Sequence, residues 1–203
     1  MVKVSKNRVQ NLVKLGTLTA ILLILAFSPL GYIPIGAMRI TIVQIPVIIG
    51  AVLMGPLYGG ILGAVFGLTS FYLAPTDPVF AAILAQSPVA MLAICLIPRI
   101  LVGVIAGFLS KALLKIDRFG VATYALTGAV GAVSNTVLVL GSITLFFGKL
   151  AESMLVTGSG MTLISVMIGI GLANGVPEAV ASALITTAVC KAMAVVDRRI
   201  GAQ

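Results

Sequence analysis

Asn174-Gly175-Val176-Pro177-Glu178 lies inside an apolar stretch, Met161–Cys190, in which Glu178 is the sole charge. Asn174 and Glu178 are four residues apart and share a face if the stretch is helical. A carboxylate in hydrocarbon is costly unless it faces a cavity or a partner. Pro177 has no N–H and frees a backbone carbonyl one turn upstream, a further polar group in need of a partner. Such a set can bind a polar solute, exchange a proton, or make an interhelical hydrogen bond that only holds helices together. Arg99, which follows Pro98 in a second apolar stretch, adds an always-ionised fork of donors suited to a carboxylate. Its partner is either Glu178 or an anionic ligand.

The residues that are missing exclude most catalysis. The chain has no His, so it offers no Ser–His dyad and no His-based metal site. Asp77, Asp117 and Asp197 all fall in connections or the C-terminal tail, so no intramembrane aspartyl pair forms. The P-loop pattern G-x-x-x-x-G-K-[ST] does not occur. Neither a metal nor a cofactor is expected, and the chain is not expected to be an enzyme. Capture or passage of a small solute remains.

The composition requires a membrane. At 60% apolar and 9% charged residues, with a mean hydropathy of +1.23, the chain cannot be a soluble globule, which averages about 25% charged residues. The net charge of +8 would suit nucleic acid, but its placement argues against that. Lys3, Lys6, Arg8 and Lys14 stand at the start, Lys111, Lys115 and Arg118 in the middle, and Lys191, Arg198 and Arg199 at the end. Clusters of this kind mark cytoplasmic loops and termini, and the aromatic interleaving that stacks bases is absent. Cys95 and Cys190 are too few for a disulfide scaffold and read as free thiols packed as small apolar residues. The basic start, the apolar run and Ala26-Phe27-Ser28 are similar to a signal peptide, but further apolar segments make Leu15 onward a retained first span.

Glycines, prolines and charges divide the chain into six spans, at roughly 12–30, 40–54, 57–74, 89–114, 120–147 and 170–195. The expected fold is therefore an all-α integral membrane protein: one domain over 1–203, a six-transmembrane-helix bundle with both termini cytoplasmic. The second span is short against the ~20 residues a bilayer requires and draws on the Ile33–Met38 loop or sits deep among its neighbours. Ala151–Ile170, broken by glycines, is expected as a short helix or a re-entrant cap. Small residues recur four apart at Gly16/Ala20, Gly59/Gly63/Gly67, Gly103/Gly107 and Gly128/Ala132, which lets helix backbones approach closely in lipid.

The polar residues of different spans converge in depth. At ~1.5 Å per helical residue, Glu178 stands ~20 Å and Asn174 ~26 Å above Lys191. Arg99 stands ~18 Å above Lys111, and Asn135 ~26 Å above Arg118. Gln44 is ~17 Å above Gly55, and Tyr72 ~21 Å above Tyr58. In a core ~30 Å thick, all lie between the midplane and the outer rim, the pattern of one polar pocket open to the outside.

Several segments together resemble the substrate-binding S components of the energy-coupling factor (ECF) vitamin transporters. They are Gly31-Tyr32-Ile33-Pro34, Ile40–Gly50 (containing Gln44), Gly55-Pro56-Leu57-Tyr58-Gly59, Phe66-Gly67-Leu68-Thr69-Ser70, Ile97–Gly103, Ser134-Asn135-Thr136 and Asn174–Glu178. The resemblance covers essentially the whole length and rests on order and spacing rather than on any one fragment. It implies a bacterial cytoplasmic-membrane subunit that binds a vitamin in its outer half. It also implies three partners: a membrane T component and two cytoplasmic ATPases. In proteins of this kind the first helix meets the T component through a small-xxx-small motif, matched here by Gly16 and Ala20. The loop Gly31–Arg39 would be a gate, and the whole subunit would topple to carry its pocket inward. The candidate substrate-binding set is Arg99, Asn135, Asn174, Glu178, Gln44, Tyr32 and Tyr72. A flexible acid with hydroxyl and amide groups suits these side chains better than a flat ring, which calls for aromatic stacking. The sequence is closer to the pantothenate type than to others, with riboflavin, pyridoxine and hydroxymethylpyrimidine types open. From another class, a small proton-coupled secondary transporter with Glu178 as proton carrier also fits the residues.

Overall fold

A computed structural model describes residues 6–35, 38–117, 120–156 and 162–201. It comprises α1 (Lys6–Phe27), a hairpin of β1 (Tyr32–Ile35) and β2 (Met38–Thr41), then α2 (Ile45–Met54) and α3 (Pro56–Leu73). There follow α4 (Pro78–Gln86), α5 (Pro88–Leu113), α6 (Val121–Leu155) and α7 (Leu163–Gly201). Three of these helices begin with proline at the first position, where its fixed φ helps and its missing N–H costs nothing. Asp77 caps α4 by accepting from Val79 N and Phe80 N, and Ser87 caps α5 by accepting from Ala90 N. Gly55, at φ 97°, turns the chain between α2 and α3, a conformation L side chains rarely adopt.

Among the described residues, five helical stretches, Val9–Phe27, Pro56–Thr76, Pro88–Leu113, Val121–Leu155 and Leu163–Val195, are long and apolar enough to cross a membrane. They carry large apolar side chains on their outer faces, among them Leu12, Ile24, Leu145, Phe146 and Leu184, as lipid-facing surfaces must. The expected second span differs. Its helical part is the 10 residues of α2, ~15 Å of helix, and residues 38–41 pair instead with β1 in antiparallel register, Tyr32 opposite Thr41 and Ile35 opposite Met38. The helical bundle thus includes one short hairpin: Ile33, Ile35, Ile40 and Thr41, all β-branched, flank a short connection and their strands satisfy each other's backbone. α2 is fully apolar and buried from Ile45 to Ala51, so it sits deep among its neighbours. The connections at 75–88 and 148–169 also carry more helix than expected. α4 fills most of 75–88, and α6 continues past a break at Phe147 (φ −131°, ψ 29°) to Leu155. α7 already begins at Leu163. Residues 157–161 of the expected cap lie outside the described ones.

α3 packs along α5, and α6 along α7. The α3–α5 contact is a glycine seam. A Cβ on Gly59 would lie 2.5 Å from the Gly103 carbonyl oxygen, one on Gly67 2.8 Å from that of Cys95, and one on Gly63 would collide with that of Arg99. On α6, a Cβ at Gly128 would lie 2.5 Å from the Ser182 carbonyl oxygen. These rows pack inside the bundle, whereas Gly16 meets nothing within 4 Å and Ala20 is exposed. Gly63→Val should therefore destabilise the protein by about 1–3 kcal/mol or more, the cost of overpacking. Gly16→Val should be nearly neutral. Thermal unfolding of both variants in one detergent checks this, and equal midpoints would contradict the seam. Cys95 and Cys190 are both buried free thiols.

Candidate functional site

Pro98 sets the geometry of the first site residue. Lacking an N–H, it leaves the Ile94 carbonyl without its helical donor, and the Arg99 guanidinium fills that role, Nη1 donating to Ile94 O at 2.9 Å. The same guanidinium lies over the Phe66 ring of α3, 5.5 Å from its centroid, within the range of a cation–π contact. Arg99 is only 6% exposed, so its charge is held in place by its own helix and by the helix across the glycine seam.

Arg99 lines a cavity of about 790 Å³. Asn135 of α6 and Asn174 and Glu178 of α7 line it too, joined by Ser70 of α3 and Thr41 at the end of β2. Its other half is apolar, with Val139, Ile143, Met167 and Phe80 on the wall and Asp77 near the start of α4. Among the described residues, Oδ1 of Asn135, Oδ1 of Asn174 and Oγ of Ser70 are buried with no hydrogen-bond partner. Buried polar atoms are normally paired, so these three mark the cavity as a place for a polar ligand. Glu178 is held differently. Its Oε1 accepts from the Thr41 backbone N–H at 2.7 Å and its Oε2 from Gln44 Nε2 at 3.3 Å. A second groove of about 800 Å³, between residues 133–145 of α6 and 164–180 of α7, has no charged side chain on its walls. Its Thr136 and Thr144 hydroxyls donate to carbonyls of their own helix, so it has little to offer a polar solute.

Of the residues expected from sequence, Arg99, Asn135, Asn174 and Glu178 come together on one cavity. Gln44 lies one shell back, fully buried, with its amide on Glu178. Tyr72 is a correction: it does not line the cavity, is 73% exposed, and packs edge-on against Phe27 with ring centroids 5.8 Å apart. Two residues along a helix is about 200° of rotation, so with Ser70 facing inward Tyr72 must face away. The side chain of Tyr32 and those of the rest of the hairpin up to Ile40 lie outside the described ones. Ser70, Thr41 and Phe66 were not singled out as site residues. Ser70 was accessible to the same depth argument, being half a turn from Tyr72.

Compared with known proteins, residues 10–190 match the family model described as ECF transporter, substrate-specific component. The chain belongs to this family of S components. It is thus a multi-pass membrane protein and a transporter subunit. The S component is similar to the pantothenic acid transporter PanT of Lactococcus lactis subsp. cremoris, 34% identical over 166 residues, which cover 75% of this chain and 76% of that one. It is also similar to the pantothenate transporter PanT of Leuconostoc mesenteroides subsp. mesenteroides, 31% identical over 206 residues, covering 97% and 98%. The cavity built by α3, α5, α6 and α7 lies wholly within the matched region of the S component.

Proposed function

We propose that this S component captures pantothenate, or a closely related flexible hydroxy acid, in the cavity around Arg99. The observation that carries the reading is one fixed guanidinium lining the same cavity as Asn135, Asn174 and Ser70, whose side-chain oxygens lack hydrogen-bond partners. Pantothenate has a carboxylate for the first and hydroxyl and amide groups for the rest. The volume is within the ~300–1,000 Å³ usual for small-molecule sites, and the names of both relatives point to the same compound. Few aromatic side chains surround the polar wall, which disfavours the flat rings of riboflavin, pyridoxine and hydroxymethylpyrimidine.

In this reading 1–203 is one membrane domain in a bacterial cytoplasmic membrane. α2 with its hairpin serves as the sixth, shortened span, and both termini face the cytoplasm, as the basic clusters favour. A T component docks on the Gly16/Ala20 face of α1, and two ATPases supply the energy. The test is uptake. Purified chain in proteoliposomes should bind radiolabelled pantothenate without accumulating it, and accumulation should appear only with the ATPase module and ATP on its side. Uptake by the chain alone, driven by a proton gradient, would replace this reading with a secondary transporter.

A further inference from the structure

The groove between α6 and α7 has two banks built by helical spacing. Ile164, Ile168, Leu172, Val176 and Val180 follow one another at four-residue steps along α7. Val133, Val137, Gly141 and Leu145 do the same along α6. Residues four apart share a helix face, so each row is a ridge, and the large apolar side chains of both ridges are exposed. Gly141 leaves a notch in the α6 ridge, with nothing within 4 Å of where a Cβ would stand. Thr136, Leu140 and Met167 lie between the ridges. A Cβ on Gly171 would meet Leu140 at 3.4 Å, and one on Gly175 would meet Thr136 at 3.5 Å. These two glycines thus face α6 and deepen the groove.

Medium and shape decide what fills it. Both walls belong to stretches that can cross a membrane, so hydrocarbon rather than water lies against them. The α6 ridge runs ~18 Å from Val133 to Leu145, about the depth of one leaflet of a core ~30 Å thick. A partner helix in lipid docks over rows of small residues that let backbones meet. Here the ridges are mostly Ile, Leu and Val, which hold a helix off but admit a thin, flexible chain between them.

We propose that this groove binds one lipid acyl chain, and that the chain backs the wall of the ligand cavity. That wall is one side chain thick: Thr136, Leu140 and Met167 line the groove and the cavity alike. A chain pressed into the groove holds Leu140 and Met167 toward the cavity, and an empty groove lets them retreat. Occupied groove and occupied cavity therefore favour each other, a coupling that works in both directions. The lipid site stands on the groove alone, and only the coupling rests on reading the cavity as the pantothenate site.

The chain has no Trp, so a single introduced indole reports on its own surroundings. Leu172→Trp places it on the groove ridge. Leu184→Trp places it about three turns further along α7, on an exposed face beyond the groove. Phosphatidylglycerol and phosphatidylcholine with long brominated acyl chains are titrated into each full-length variant in detergent. Quenching at Leu172→Trp should saturate at one lipid per protein, alike for both headgroups because the walls carry no charge. At Leu184→Trp it should rise without saturating. Gly141→Leu fills the notch and should weaken the saturable phase by about tenfold or more, the factor lost with roughly two buried methylenes. Calorimetry should show pantothenate bound about fivefold or more tighter with the lipid in place, the lower end of typical couplings. Gly141→Leu should lose that gain.

Unsaturable quenching at both positions means surrounding lipid only and overturns the site. So does a saturable phase that Gly141→Leu leaves unchanged. A wild-type dimer that Gly141→Leu dissociates gives the groove to a second copy and also overturns it. Saturable quenching with pantothenate affinity indifferent to lipid overturns the coupling. Should Leu172→Trp not fold, Ile168→Trp on the same ridge takes its place. Absence of pantothenate binding by the wild-type chain overturns the proposed function, while the quenching still decides the lipid site.

Discussion

Arg99→Ala is expected to weaken pantothenate binding by about ten- to a hundredfold. A charge-assisted hydrogen bond contributes roughly 1.5–3 kcal/mol, and each ~1.4 kcal/mol is tenfold in Kd. The site argues for the upper part of that range. The guanidinium is buried and already fixed by Ile94 O and the Phe66 ring, so little side-chain freedom is lost when an acid arrives. Asn135→Ala and Asn174→Ala should each cost less, as neutral hydrogen bonds do. Truncating Arg99 also strips Ile94 O of its donor, so thermal midpoints of all three variants must accompany the calorimetry. Arg99→Lys separates the two effects, since it keeps a charge but loses the planar fork. Unchanged affinities across the set would mean that pantothenate binds elsewhere or not at all.

Trp at position 16 or Leu at position 20 is expected to abolish assembly with the T component and the ATPases while leaving pantothenate affinity intact. The chain itself has room for both. Nothing lies within 4 Å of a Cβ at Gly16, and Ala20 is exposed on the same helix face. A partner helix that relies on close backbone approach over small residues would be pushed off by a bulky side chain. Co-purification of tagged variants with the other subunits reads the result directly. Normal assembly would move the docking surface to another face, and loss of ligand binding by the isolated variant would show that α1 supports the cavity instead.

Much of the cavity was legible because helices rise by a constant step. Counting residues from basic markers put Arg99, Asn135, Asn174 and Glu178 at one depth, and they do line one cavity. Depth without azimuth misplaced Tyr72, which shares the level of the site but faces outward from α3. Arg99 and Glu178 posed a question that sequence leaves open, since a carboxylate and a guanidinium in one bundle invite pairing. Glu178 also accepts hydrogen bonds from Thr41 and Gln44, residues more than a hundred positions away whose placement depends on the hairpin. That hairpin was itself hidden, because strand preference is decided by neighbours more than by the residues themselves. α4 was readable in principle: Asp77-Pro78 and Ser87-Pro88 are both cap-then-proline starts.

The glycine seam makes the two sides of the cavity mechanically unequal. Where α3 and α5 meet, main chain touches main chain at three successive levels, from Gly59 through Gly63 to Gly67. Sliding or separating them by even a fraction of a turn drives carbonyl oxygens into Cα atoms or opens voids that no side chain can fill. Phe66, Ser70 and Arg99 ride on this stiff plate. Thr41 and Glu178 belong to the opposite side, where an eight-residue ribbon of two short strands is pinned to α7 by side-chain hydrogen bonds. A solute entering this pocket thus meets an anvil on one side and a spring on the other, and adjustment to its shape falls to the spring.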